Sequence, residues 1–254
     1  MMKLFFFCFL FFIILISCDD QGPGNQDPPE RVEMVQKWPG CDLLEYEAGI
    51  DPVPSFSDTV LQVMWHSHPQ GSKLSEFWIY RSAEPDGSRR YNRIGVVKVV
   101  FANAQDTVFI DTEVKTEQRY SYYVTAVSKE DKESVSSDTV WYILDPEAIP
   151  LYPPDNYTIT DTIITFEWSY SDPIEPGVYI LRIEQFYDEN YHPLVYADYH
   201  DSMYEGHMSV TLAEEWMKSP TYGVPFRWRL DCIGDDELHR GSESDWRFFN
   251  IELE

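Results

Sequence analysis

The chain has 254 residues, room for one large or two ordinary domains at roughly 100–200 residues each. Forty-three per cent of it is hydrophobic, enough for a real core, while 44 acidic against 19 basic residues leave a net charge of −25. That charge repels polyanions before contact and argues against nucleic acid or an anionic membrane face as a partner. Seventeen Pro, 17 Tyr and eight Trp favour strands and turns over long helices. At the N-terminus, Lys3 precedes an unbroken apolar run from Leu4 to Ile16. Thirteen helical residues span only about 20 Å, short of the ~20 residues that a transmembrane helix needs. A charge, a short apolar run and then small residues is the layout of a secretory signal peptide, here residues 1–17.

The run ends in Leu15-Ile16-Ser17-Cys18, which resembles the lipobox of bacterial lipoproteins. The resemblance implies cleavage before Cys18 and acylation of its thiol and new amino group. It also implies a place on the bacterial cell membrane or outer membrane, facing the periplasm or the exterior. Acyl chains contribute about 0.8 kcal/mol per buried methylene, so they anchor a protein without any spanning helix. Asp19 and Asp20 follow the cysteine. An Asp there resembles the inner-membrane retention signal of enteric bacteria, a rule other phyla do not obey, so both membranes stay open. Gln21 to Glu30 is rich in Gly and Pro and keeps no apolar periodicity, which makes 18–51 a lipid-anchored flexible tether. Within it, Trp38-Pro39-Gly40-Cys41 and Leu43-Leu44 are candidates to dock on the first domain.

From Pro52 to Asp145 the chain alternates with period two. Leu61, Val63 and Trp65 point one way against Gln62 and Met64; Phe77 and Ile79 oppose Trp78 and Tyr80; Tyr120, Tyr122, Val124 and Ala126 line one face. About seven such runs, punctuated by turns such as Glu84-Pro85-Asp86-Gly87, predict an antiparallel β-sandwich. The residues resemble the fibronectin type III family: Trp65 as the core Trp, Phe77 to Ser82 as the third strand, and Tyr120, six residues after Val114, opening the penultimate one. The resemblance implies that the Tyr120 hydroxyl bonds back to the chain upstream, and that Ser134 to Ser137 lead into a last strand ending at Trp141-Tyr142-Ile143.

Asp145-Pro146, Pro150 and Pro153-Pro154 mark the next boundary, and the plan then returns over 146–254. Ile164, Phe166 and Trp168 alternate as a second strand, Val178 to Phe186 forms a third, and Phe226 to Cys232 the penultimate one. Trp65 to Trp168 is 103 residues, Tyr120 to Phe226 is 106 and Ser137 to Ser244 is 107, an internal repeat. The fold class is therefore all-β, two tandem antiparallel sandwiches of fibronectin type III or immunoglobulin-like kind. The second copy puts Phe226 where the corner Tyr stood. It also carries a long stretch, Tyr187 to Met217, in which the capping-box spacing of Thr211-Leu212-Ala213-Glu214 predicts a short helix through Trp216.

Candidate chemistry is sparse. His66 and His68 share a strand face but lack the third and fourth ligands that zinc needs, and His192, His200, His207 and His239 have no metalloprotease spacing. Asp188-Glu189-Asn190 and Asp235-Asp236-Glu237 lack the order of a calcium loop, so they read as solvated tips. No G-x-S-x-G and no phosphate-cradling Gly loop occurs. We therefore expect no enzyme, no metal and no cofactor. Cys41 and Cys232 leave two readings open, a disulfide in an oxidising compartment or a free Cys232 serving as a small hydrophobe.

Charge is segregated: 13 acids and ten bases in 52–145 against 22 acids and six bases in 146–254. Tyr187, Tyr191, Tyr196, Tyr199 and Tyr204 crowd the stretch that the repeat does not explain and form the candidate binding surface. Tyrosine serves protein interfaces, stacks on sugars, and also simply fills strand edges. The expected function is a non-enzymatic display or adaptor lipoprotein that contacts another envelope protein. The alternative is a surface glycan-binding lipoprotein of a carbohydrate uptake system. Tyrosines aligned on one exposed face favour sugar, and a mixed patch favours protein.

Overall fold

The computed structural model describes residues 27–35, 49–54, 60–83, 90–100, 107–161, 163–170, 176–201, 207–213, 223–234 and 239–252. Sixteen strands run through them, with a 3-10 turn at Gly71–Lys73. The chain is all-β.

In the first sandwich, β1 (Ile50–Val53), β2 (Val60–Met64) and β5 (Val108–Asp111) form one antiparallel sheet. The facing sheet orders β4 (Asn92–Lys98), β3 (Leu74–Ser82), β6 (Arg119–Ser128) and β7 (Val140–Leu144). The period-two readings hold: Leu61, Val63, Trp65, Phe77, Ile79, Tyr120, Tyr122, Val124 and Ala126 meet in one buried cluster. The Trp65 and Phe77 rings lie 5.3 Å apart at its centre. The Lys115 N–H donates to the Tyr120 hydroxyl (3.0 Å), so the corner closes as its resemblance implied. Ser134 and Ser137 turn their hydroxyls onto β6, accepting from the N–H groups of Ala126 and Val124 (2.9 Å each). These side chains satisfy backbone donors where the last strand has left the ladder.

The tether ends earlier than the sequence reading placed it. Val32 and Met34, inside the stretch 18–51, belong to the first core, and Met34 bridges Trp65. The Val35 N–H donates to the Met64 carbonyl (3.3 Å) and the His66 N–H to the Glu33 carbonyl (2.9 Å). His68 is fixed in the same seam: Nε2 donates to the Glu30 carbonyl (3.0 Å) and Nδ1 accepts from the Gln70 N–H (3.1 Å). Alternating Val32 and Met34 is a short strand pattern, and the Gly and Pro content just upstream obscures it. The lipobox, Cys18 and the segment 38–44 lie outside the described residues.

The second sandwich repeats the plan. β8 (Ile149–Tyr152), β10 (Ile164–Ser169) and β13 (His207–Leu212) form its smaller sheet. The larger sheet orders β12 (Leu194–Asp201), β11 (Val178–Gln185) and β14 (Phe226–Ile233), and β14 pairs in turn with β15 (Arg240–Glu243) and β16 (Arg247–Ile251). Finally, β9 (Tyr157–Ile159) runs parallel to β16. Ile164, Phe166, Trp168, Phe226 and Trp228 are buried together, and the Leu230 N–H donates to the Ser244 hydroxyl (3.0 Å) as Val124 does to Ser137. The expected helix start is a strand instead: Thr211 and Leu212 end β13, pairing with Thr165 and Ile164. Four residues carried the capping signal, and sheet registry over six outweighs it at Thr211 and Leu212, while Glu214 to Trp216 lie outside the described residues. The unexplained stretch from Tyr187 thus supplies β12 and β13.

The two sandwiches share a sheet. β15 runs parallel to β7, pairing Arg240 with Ile143 and Gly241 with Leu144, which joins the larger sheets into one of ten strands. The Ile143 and Asp145 N–H groups donate to the carbonyls of His239 (2.9 Å) and Gly241 (2.8 Å). Gly241 is needed there, because a Cβ would stand 2.2 Å from the Cys232 carbonyl oxygen and 2.8 Å from the Tyr142 hydroxyl. Arg240 chelates Asp145 and donates to Glu117 (2.9 Å), while the Trp141 ring lies between the Arg119 guanidinium (3.8 Å) and the stacked His239 ring (4.6 Å).

Candidate functional site

β12 is an end strand of the ten-stranded sheet and pairs, among the described residues, with β11 alone. Its register sets where each tyrosine goes. Tyr196 lies opposite buried Ile183 and packs on the second core, whereas Tyr199 lies opposite Ile180 on the other face and is 49% exposed. Tyr187 and Tyr191 sit in the turn before β12, their ring centroids 5.0 Å apart, at 40% and 59% exposure. Asp188 shapes that turn: its Oδ1 accepts from the N–H groups of Asn190 (2.8 Å) and Tyr191 (3.0 Å), so it is a turn residue. Tyr204 lies outside the described residues. The structure therefore spreads the four described tyrosines over two sheet faces and a turn, around a strand whose partner among the described residues is β11.

Carboxylates frame this edge. Asp198 is exposed on the Tyr196 side, where it accepts from the Tyr199 N–H (2.9 Å), and burial followed by this carboxylate raises the Tyr196 pKa. Asp201 is exposed on the Tyr199 side. His200 faces the core rim 6.2 Å from the Trp168 ring, and desolvation lowers its pKa, so it is neutral at pH 7.

The outer face of the same sheet holds a feature that the sequence reading missed. The Phe186, Arg227, Trp246 and Arg229 side chains interleave, with guanidinium-to-ring distances of 4.9, 4.1 and 4.8 Å. The same arginines are ion-paired: Arg227 with Glu184 (2.6 Å), Arg229 with Glu243 (2.5 Å) and Asp231 (2.8 Å), and Arg182 with Asp231 (3.3 Å). His192 reaches Glu184 as well (3.0 Å). Alternate Arg in Phe226-Arg227-Trp228-Arg229 with Trp246 beyond was the available signal, but outward charges on a strand read as solvated ones. These groups balance one another and form a structural brace.

The remaining candidates stay apart. No group of three or more metal-ligating side chains occurs among the described residues. Cys232 is a free buried thiol, and Cys41 and Asp235-Asp236-Glu237 lie outside the described residues.

No family model and no curated protein matches the chain. Among solved structures it is similar to an Fn3-like protein from Clostridium thermocellum, at 25% identity over 37% of this chain and 84% of that one, with a TM-score of 0.27. It is also similar to the chicken CNTN1 FN1-FN3 domains, at 11% identity over 89% of this chain and 68% of that one, with a TM-score of 0.30. The class itself rests on the strand order, the two serine-capped last strands and the corner tyrosine: two tandem β-sandwiches of fibronectin type III-like plan.

Proposed function

We propose that the chain is a non-enzymatic, lipid-anchored envelope protein whose second sandwich binds another envelope protein. The observation that carries the binding reading is the distribution of Tyr187, Tyr191, Tyr196 and Tyr199 over both faces and the turn of one edge strand. Sugar stacking wants rings on one platform, whereas a mixed aromatic and polar rim suits a protein partner. The sandwich supplies rigidity, the loops and edge supply recognition, and the tether sets reach. The anchor rests on Lys3, the apolar run and Leu15-Ile16-Ser17-Cys18.

Two measurements test this. Cys18→Ala is expected to abolish lipid labelling and release the protein from membranes; unchanged retention overturns the anchor. Affinity purification from gently cross-linked membranes is expected to yield a stoichiometric protein partner that is lost in a Tyr187→Ala, Tyr191→Ala, Tyr199→Ala variant. Recovery of the chain alone, with glycan binding by the same tyrosines, overturns the protein reading in favour of sugar uptake.

A further inference from the structure

The main path of the joined sheet ends on β4 and β12, and these two end strands carry opposite charge. At one end β4 and its flanks, residues 90–100, hold Arg90, Arg93 and Lys98 and no acid, with Val96 exposed between them. At the other end β12 and its preceding turn hold Asp188, Glu189, Asp198 and Asp201, all exposed. Positive charge among the described residues of the second sandwich does not offset this. Four of its five described arginines, Arg182, Arg227, Arg229 and Arg240, are committed to internal ion pairs, each with its side chain at most 14% exposed. The field around β12 is therefore set by exposed carboxylates.

From this we propose that β12 receives an extended, cationic segment of a partner protein as an added strand. The inference rests on the protein-binding reading and specifies its mode. Eight residues of strand offer an edge roughly 26 Å long, enough for a segment of similar length to pair along it. Successive side chains of an added strand would project to alternate faces. Lys or Arg on one face meets Asp198 and the rim of Tyr196, and on the other meets Asp201 and Tyr199. Alkyl stems lie on the rings while the charged heads reach the carboxylates. The same segment is repelled by β4, so the charge pattern chooses between the two end strands of the main path.

The test uses the full-length chain in a non-ionic detergent and a synthetic peptide, Thr-Lys-Lys-Val-Thr-Lys-Lys-Val, which presents lysine on both faces. Fluorescence anisotropy is expected to show binding that weakens with added salt, and hydrogen exchange is expected to slow at 194–201 and not at 92–98. Asp198→Asn with Asp201→Asn is expected to weaken binding about tenfold without changing the melting temperature. The Asn side chains keep the local hydrogen-bond acceptors, so folding is preserved. Equal binding of the peptide with Glu in place of Lys, protection elsewhere, no binding, or indifference to the double substitution overturns the proposal. So does protection of 194–201 by self-association in the absence of peptide, which would assign the edge to a second copy. A membrane partner that depends on the tyrosines but ignores the two aspartates overturns strand addition alone. Peptide binding without any captured partner overturns the adaptor reading alone.

Discussion

Cys232 and Tyr122 occupy matching depths in the two cores, and burial acts on both in the same direction. Loss of hydration pushes the Cys232 thiol up to about 12, against a smaller opposing pull from Ser242. The thiol is therefore protonated at neutral pH and unreactive. Peptide mapping after alkylation at pH 8 is expected to find Cys232 unmodified in the folded chain and modified in urea. Tyr122 donates to Asp111 (2.9 Å), which also binds Arg81 (2.7 Å), and burial, then Asp111, raises its pKa. A raised folded pKa means that the unfolded chain ionises first. The contribution is complete below pH 10, the ordinary tyrosine value, and is lost as pH rises beyond it. Tyr122→Phe is expected to cost about 1–2 kcal/mol at pH 7 in urea titrations, by removing one donor to a buried carboxylate. It should also flatten the decline of melting temperature above pH 10.

At the scale of the element, strands whose two faces meet different environments were the most legible. The alternation in β2, β3, β6 and β10 followed from the sequence because each has one face in the core and one outside it. Two elements were not legible, for different reasons. Val32 and Met34 are too few to make a period, and only their docking beside Trp65 reveals them as part of the first sandwich. The outer face of β11 and β14 carries Arg, Glu and Asp, which imply solvent until Trp246 and Phe186 are seen stacked among them. Trp246→Ala removes two guanidinium contacts at once and is expected to destabilise the second sandwich by about 1–2 kcal/mol, read by its thermal unfolding. Arg227→Lys is expected to lose most of the same stabilisation, because an ammonium lacks the planar fork that pairs with Glu184 while stacking.

Over the whole molecule, the shared sheet makes the two sandwiches one body. Asp145 is 3% exposed and its charge is met by Arg240 from the second sandwich, to which Glu117 adds a second acceptor. Arg240→Ala leaves that carboxylate buried without its cation and is expected to cost about 3 kcal/mol at the joint. Small-angle scattering should then show a more extended average shape, and calorimetry should resolve two transitions where the natural chain gives one. Arg240→Ala with Asp145→Ala is expected to recover part of the loss, since the stranded charge is gone. A fixed joint holds the β12 edge at a constant angle to the first sandwich.

Sequence alone determined the strand class, the repeat near 105 residues and the inward set of each core, because these depend on local periodicity and on volumes that recur in both halves. The family resemblance also placed Tyr120 at its corner and Ser137 and Ser244 ahead of the last strands, where one side chain satisfies one backbone donor. The lipid anchor is legible only there, as a proposal carried by Cys18 and its flanks. Tertiary structure decided what depends on residues far apart in the chain. It brought Met34 to Trp65, paired β7 with β15, buried Asp145 against Arg240, and committed four arginines of the second sandwich to internal ion pairs. That last step leaves its remaining carboxylates to define an acidic edge. Charge counts give the sum over a domain, but only packing decides which charges are spent on one another and which face a partner.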